Sequence, residues 1–531
     1  MYIDYKCIKA GFKCPLHLIT HNNILLSFRD HLPKIIDCYI STKKSFRLPA
    51  TALLKLANTL KKLEITYDED LFDYDYDDNY INDKDQGNEM FISTTSMDSA
   101  TFDIFRLAIS ALHQLEYFRY VDPEFFCSPS SSPLSTFFTM NNNNSFSSSL
   151  KHLEIELGSI EARYVERILK QCPNLLILWL MSLRAYTDTS ILDTIRQYCP
   201  RSEYILFDYK GDLLYGQDLF ELYVPKSPGR SHAETTTPLA SQSPSIPSTS
   251  SSLKKLHINI HNTNHVIPFL NHYSDTIEEM MLSFHRDYQQ SLSSVHLLNQ
   301  LVSLVVTHLE YPVVLATLLP KLPSLQILEF DNSHMGDNEL INALKHVNTL
   351  KELKIRNGRY AVVDHMVDLF NAYAEASTIA TFNSSIKELK EANSAGNRSL
   401  SEQQLCGGGQ LAHVSLIDCD FIADPVLEAL GNIKTLSSVY ISYMYYVTTK
   451  GINAFCEQLN LLPVLRSITL CGLDCVDDST LSILGSSSTR RNHDSTRAIT
   501  LIALYNVTKE ALDRLSKKEG VSLISYGWYS Y

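Results

Sequence analysis

Along most of the chain the apolar positions follow one short phrase, apolar-x-x-apolar-x-apolar, that returns at a nearly constant distance. It reads Leu60–Leu63–Ile65, Leu150–Leu153–Ile155, Leu175–Leu178–Leu180, Leu253–Leu256–Ile258, Ile277–Met280–Leu282, Leu301–Leu304–Val306 and Leu325–Leu328–Phe330. It continues as Leu350–Leu353–Ile355, Leu411–Val414–Leu416, Leu436–Val439–Ile441 and Leu465–Ile468–Leu470, with weaker copies at Leu115–Phe118–Tyr120, Ser202–Ile205–Phe207 and Thr496–Ile499–Leu501. Counted at the last apolar residue, the central intervals are 24 (258 to 282), 24 (282 to 306), 24 (306 to 330) and 25 (330 to 355). The alternation predicts a short strand whose last two apolar side chains enter an interior while the residue between them faces outward. Between phrases the spacing becomes helical, as in Leu340–Ile341–Leu344, Val426–Leu427–Leu430 and Ala511–Leu512–Leu515. Each unit is therefore expected to run strand, turn, helix, turn.

One such unit cannot bury its apolar face alone, and stacking copies creates a continuous core. The period falls within the range of roughly 20–29 residues of leucine-rich repeats. The predicted fold is an α/β leucine-rich-repeat solenoid, a curved horseshoe with short parallel strands on its concave side and helices on its convex side. Asp337, Thr448 and Asp477 stand where outer helices should begin and can accept otherwise unpaired helical amides. Cys172–Pro173 and Cys199–Pro200 follow helical segments, where proline ends the helix.

Interruptions of the rhythm set the expected organisation. Residues 1–55 form an N-terminal cap or divergent adaptor region, and 56–223 form repeats with an acidic insertion (Asp68 to Tyr80) and a Ser/Asn-rich one (127–149). Residues 224–252 are a Ser/Pro-rich stretch that buries too little to repay chain ordering, 253–526 are further repeats, and 527–531 a tail. From Ile355 to Leu416 the gap is 61 residues, which predicts two units plus an excursion, with Ile386–Leu389–Glu391 as the missing phrase. A partial copy near Leu32–Ile35–Ile36 and a closing strand near Val521–Leu523 extend the array.

Composition narrows the function. Forty-six basic against 59 acidic residues give a net charge of −13, which argues against a phosphate-backbone binder and an anionic membrane surface. The first residues lack a secretory pattern, and no run reaches the roughly 18 apolar residues of a spanning helix, so a cytoplasmic and/or nuclear location is expected. Eleven cysteines form no disulfide framework, and Cys7, Cys14 and Cys38 show no CxxC pairing. Cys172, Cys199, Cys419, Cys471 and Cys475 recur at repeat-related places, as small turn fillers do. No phosphate loop, H-E-x-x-H or G-x-S-x-G element occurs, and Gly407–Gly408–Gly409 lacks the lysine of a phosphate cradle. The chain reads as a non-enzyme without cofactor or metal.

The residues expected to face outward are Trp179, Leu206, His257, Met281, Val305, Glu329, Lys354, Ser415, Tyr440 and Thr469. This mixed row suits a protein partner held on the concave surface. Trp179 is either an interface anchor or, if a loop covers it, ordinary packing. Tyr440 and Tyr443, with Tyr445 and Tyr446, form a second candidate against the same alternative. The acidic run attracts a basic partner, takes phosphate on tyrosine, or is a solvated loop.

Three stretches carry a family resemblance: C-P-N-L-L-I-L-W-L at Cys172–Leu180, L-A-H-V-S-L-I-D-C-D-F-I-A-D at Leu411–Asp424, and L-R-S-I-T-L-C-G-L-D-C-V-D-D at Leu465–Asp478. They resemble the cysteine-containing repeat class of the F-box/leucine-rich-repeat substrate receptors. The resemblance implies an F-box that recruits Skp1 of an SCF ubiquitin ligase, with the repeats holding the protein to be ubiquitinated. The nearest F-box-like string is Leu32–Pro33–Lys34–Ile35–Ile36, which has no acidic residue and fits the start of the solenoid equally well. The alternative function is an interaction scaffold independent of ubiquitination.

Overall fold

The computed structural model describes residues 16–19, 37–43, 60–68, 114–126, 149–159, 162–182, 191–209, 253–260, 263–284, 291–393, 411–486, 497–518 and 521–526. The Leu32–Ile36 string, Gly407–Gly409, the 224–252 stretch, nearly all of the acidic and Ser/Asn-rich insertions and the 527–531 tail lie outside them. The chain divides into two units, Met1–Leu253 and Lys254–Tyr531.

The first unit holds strands β1 (Leu16–Ile19), β2 (Asp37–Lys43), β3 (Lys62–Asp68), β4 (Tyr117–Phe126), β5 (His152–Ser159), β6 (Ile177–Ser182) and β7 (Tyr204–Tyr209), and helices α1 (Ala162–Leu169) and α2 (Ile191–Tyr198). Each strand pairs in parallel with the next. The register stacks Leu63, Phe118, Leu153, Leu178 and Ile205 in one line and Ile65, Tyr120, Ile155, Leu180 and Phe207 in a second. None of these ten is more than 1% exposed. Where the phrase has Ser202 in place of an apolar residue, the serine is buried and its hydroxyl donates to the Leu175 carbonyl at 3.3 Å, so the substitution leaves no polar group stranded.

The second unit runs β8 (Lys255–Ile260), α3 (Thr263–His272), β9 (Glu279–Phe284), β10 (Ser303–Thr307), α4 (Pro312–Leu318), β11 (Ile327–Asp331), α5 (Asn338–Lys345), β12 (Glu352–Arg356), α6 (Val363–Asn393), β13 (His413–Ile417), α7 (Asp424–Gly431), β14 (Ser438–Ser442), α8 (Thr449–Asn460), β15 (Ser467–Cys471), α9 (Asp478–Gly485), β16 (Arg497–Ile502), α10 (Lys509–Ser516) and β17 (Val521–Tyr526). Again every strand lies parallel to its successor, from β8 to β17. The helices bury the faces their spacing predicts: Leu340, Ile341 and Leu344 on α5, Val426, Leu427 and Leu430 on α7, and Ala511, Leu512 and Leu515 on α10. Each fully buried leucine is worth about 2 kcal/mol of transfer free energy, so the stacked lines and not the isolated helices hold the array together. Both units are leucine-rich-repeat solenoids.

The 61-residue gap is one repeat and not two. β12 pairs directly with β13, Glu352 opposite His413, and Ile386, Leu389 and Glu391 lie within the 31-residue helix α6. An L-x-x-L pair is shared by the strand phrase and by the i, i+3 face of a helix, and here the helix prevails. The first part of α6 takes the place of the usual short helix: Met366, Leu369 and Phe370 are buried, and the Tyr373 hydroxyl donates to the Leu344 carbonyl at 2.9 Å. Ser377 Oγ accepts from the Lys434 amide at 3.0 Å.

Repeated caps fix the helices. Asp337, Thr448, Asp477 and Thr508 are N-caps whose side chains accept backbone amides of the first turn. A second device ties neighbours: Asp424 accepts from the Thr448 amide (2.8 Å) and hydroxyl (2.6 Å), and Asp478 from the Thr508 amide and hydroxyl (both 2.7 Å). Asp477 accepts amides from Ser479 (2.9 Å) and Thr480 (3.1 Å), and hydrogen bonding, led by Ser479, holds its carboxyl below the usual range. A depressed carboxyl stabilises the fold above its unfolded pKa and loses that effect as pH falls through the folded value. Asp477→Ala is thus expected to cost about 1 kcal/mol at neutral pH, with the difference from wild type shrinking in acid. Urea titrations at neutral and acidic pH check it, and an equal cost at both would remove the charge from the explanation.

Candidate protein-binding face

Strand register decides which side chains share a row. On the face turned away from the core, the first unit aligns Glu64, Arg119, Glu154, Trp179 and Leu206. The second aligns His257, Met281, Val305, Glu329, Lys354, Ser415, Tyr440, Thr469, Thr500 and Ile524. The structure brings the sequence-predicted residues together as two rows, one per unit, with Tyr443 on the turn just beyond β14.

Exposure along the rows is uneven. Leu206, His257, Met281, Val305 and Glu329 are buried, whereas Trp179, Lys354 and Tyr440 are partly exposed and Tyr443 is 45% exposed. Glu329 lies 3.9 Å from Lys354 Nζ, and burial raises its carboxyl pKa against the opposing pull of Lys354 and Arg356. Lys354 also pairs with Glu352 at 2.9 Å.

Trp179 belongs to an aromatic ladder. Lys62 Nζ sits 4.4 Å over the Tyr117 ring, Tyr117 meets His152 edge-on at 4.5 Å, and Trp179 stands 5.8 Å from both His152 and Tyr204. Edge-to-face contacts of this kind add modestly to the area each ring buries. Beside the ladder Glu154, itself buried, has its carboxylate 2.8 Å from His152 Nε2 and 3.2 Å from Arg119 Nε. Burial, then the Glu154 charge, pushes the Tyr117 phenol well up. The Trp179 indole N–H is enclosed without an acceptor among the described residues. Tyr117, His152, Glu154 and Tyr204 escape the sequence reading; Glu154 shares the offset of the residues it singled out, while the other three stand two residues earlier in their strands.

A third row lies on the turns that leave the strands. His308, Asn332, Asn357, Asp418, Tyr443, Gly472 and Ala503 each follow a strand and each has positive φ, between 45° and 58°. The first six donate their amides onward, each to the last carbonyl of the next strand, as from Asn332 to Arg356 (3.0 Å) and Tyr443 to Cys471 (3.1 Å). The bond recurs whatever the side chain, so the strained backbone is set by stacking, and glycine is needed only where Tyr443 lies across it at Gly472.

The cysteines serve the core. Cys172, Cys199, Cys419, Cys456 and Cys471 are buried; the Cys199 thiol donates to the Cys172 carbonyl at 3.5 Å, and that of Cys419 to Ile417 at 3.4 Å. Burial raises Cys419 to about 12 and Cys475 to about 11, so both thiols stay protonated at neutral pH. Among the described residues no group of three or more His, Cys, Asp or Glu stands where it could hold a metal ion.

No family model matches the chain, and no curated protein matches it in sequence. Among solved structures, the Rad7 and Elc1 complex of yeast is 12% identical over 98% of this chain and 83% of that one, with a TM-score of 0.33. An internalin (inlF) of Listeria monocytogenes is 11% identical over 87% of each chain, with a TM-score of 0.38. Likenesses this distant carry no functional argument; the repeat architecture rests on the parallel register itself.

Proposed function

We propose that this is a non-enzymatic repeat protein that holds a protein partner against the outward strand rows, and that it does so as the substrate-recognition subunit of an SCF-type ubiquitin ligase. The observation that carries the binding reading is the outward face itself. In the first unit it sets Trp179 and Tyr204 beside Glu154 and Arg119, and in the second it carries Tyr440 and Tyr443 with Lys354, the mixture of rings and charge in which protein interfaces find anchors and register. The ubiquitin-ligase reading is supported by the resemblance at Cys172–Leu180, Leu411–Asp424 and Leu465–Asp478. A scaffold without a ligase is the second reading, favoured by the absence of an acidic residue from Leu32–Ile36.

Skp1 association separates the two. Full-length chain and a version lacking residues 1–50 are compared with a control F-box protein; binding that depends on the N-terminal segment supports the ligase, and none where the control binds leaves the scaffold. For the face, Trp179→Ala is expected to lower affinity for a partner isolated from the native host by roughly tenfold or more, as loss of an anchor does. The far-ultraviolet circular dichroism signal should persist, because the side chain is partly exposed and lies outside the two buried lines of the core. Unchanged affinity, or wholesale unfolding, removes Trp179 as an anchor.

A further inference from the structure

The turns after β13, β14, β15 and β16 carry a surface that the strand rows do not explain. Four positions past the last apolar residue of each phrase stand Asp420, Tyr445, Asp474 and Tyr505 (416 to 420, 441 to 445, 470 to 474, 501 to 505). In the left-handed position before them stand Asp418, Tyr443 and Gly472. Parallel pairing sets equivalent turns about 4.8 Å apart, so acid and ring alternate along this edge.

The rings face solvent: Tyr443 is 45%, Tyr445 71% and Tyr505 61% exposed. Tyr443 lies across the bare backbone of Gly472, which fixes one side of the ring and leaves the other open. Tyr443 and Tyr445 leave β14 and Tyr505 leaves β16, two strands along the same parallel register. Asp418, Asp420 and Asp474 are exposed, and among the described residues their carboxylates have no cation partner. At the same offset the β12 turn carries Arg359 in place of an acid, followed by the exposed Tyr360, so the acidic character begins at β13.

We propose that this edge docks a basic, extended stretch of a partner protein, whose arginine or lysine side chains lie over the faces of Tyr443, Tyr445 and Tyr505 while their charges meet Asp418, Asp420 and Asp474. A cation is drawn to the negative face of an aromatic ring and to a carboxylate alike, and only a basic side chain satisfies both at this spacing. An apolar helix laid here would strip water from three carboxylates without pairing them, and a nucleic-acid backbone would meet like charge. The inference rests on the protein-binding reading only in taking the occupant to be a protein segment; Tyr443 is common to both, and the other residues of this edge lie off the strand rows.

The test uses the full chain and two labelled peptides read by fluorescence anisotropy, one of alternating arginine and glycine and one with glutamate in place of arginine. The arginine peptide is expected to bind, more weakly as salt rises, and the glutamate peptide not to bind. Tyr445→Ala with Tyr505→Ala should lower affinity at least tenfold. Asp420→Asn with Asp474→Asn should lower it similarly and flatten the salt dependence, whereas Asp275→Asn with Glu278→Gln, acids elsewhere on the chain, should change nothing. All six positions are surface residues, and an unchanged thermal transition confirms that each variant folds. No binding of the arginine peptide, equal binding of both peptides, or a curve indifferent to the tyrosine and Asp420/Asp474 changes overturns the proposal; the last would assign the attraction to net charge alone. Loss of a native partner in Trp179→Ala but not in the tyrosine variant would retain the protein-binding reading and reject this edge.

Discussion

Arg497→Ala is expected to destabilise the C-terminal repeats by about 3 kcal/mol, since hydrogen bonds to a buried charge and the volume of a large side chain are lost together. The side chain is 1% exposed at the start of β16, where its guanidinium donates to Asn460 Oδ1 at 2.6 Å and to the Leu459 carbonyl at 3.3 Å. It joins the end of α8 to a strand two repeat positions later, while Asn460 donates in turn to the Ile483 carbonyl at 2.6 Å on α9. Arg497→Lys keeps the charge but not the planar fork that serves two acceptors, and should recover less than half of the loss. Urea unfolding of the single variants and of Arg497→Ala combined with Asn460→Ala measures the coupling. Strictly additive costs would mean that the two side chains do not act as a pair.

Gly336→Ala is expected to be nearly as damaging, at about 3 kcal/mol, through crowding and not through lost contacts. A methyl group at Gly336 would run into the Tyr360 carbonyl oxygen, with the Tyr360 carbonyl carbon 3.2 Å away, and backbone cannot swing aside as a side-chain tip does. The two turns are already stitched by the Met335 amide to the Arg359 carbonyl (3.0 Å) and the Arg359 amide to the Ser333 carbonyl (3.1 Å). Gly485→Ala is the control, because its methyl would meet only side-chain tips, Leu515 Cδ1 at 3.2 Å and Lys518 at ordinary contact, and should cost under about 1 kcal/mol. Hydrogen exchange at the Met335 and Arg359 amides should accelerate in Gly336→Ala and not in Gly485→Ala. Exchange unaltered in both would show that the turns part without penalty.

The architecture was legible because one constraint acts on every copy of the phrase: two buried positions flanking one outward residue. The fourteen clear and weak phrases coincide with strands, the closing strand expected near Val521–Leu523 is β17, and β1 and β2 add two more. The caps Asp337, Thr448 and Asp477 were legible for the same reason, as residue type and position are tied by one hydrogen bond. The left-handed turns were not, because the constraint there is an amide-to-carbonyl bond that histidine, asparagine, aspartate, tyrosine and alanine all make. Ile386 and Leu389 were misread because a three-residue spacing fits strand phrase and helix face equally. The row from His257 to Lys354 follows from the phase of the pattern, but its graded burial does not, since exposure depends on neighbours that a single repeat does not encode. Arg497 gave no sign at all: its partner lies 37 residues earlier, outside its own repeat.

The direct pairing of β12 with β13 has a consequence for how the second unit assembles. The other neighbouring strands of this unit close loops of 24 to 31 residues between equivalent positions, whereas this junction must close 61 (355 to 416). Loop-closure entropy grows as the logarithm of length, so the difference is only about 0.8 kcal/mol, but it falls entirely on one step of a nearest-neighbour chain. The β8–β12 and β13–β17 segments can each zip up by short steps and then meet, which makes the α6 repeat the kinetic seam of the array. A strand order that looks uniform once formed carries its longest closure where the second unit's sequence loses its rhythm.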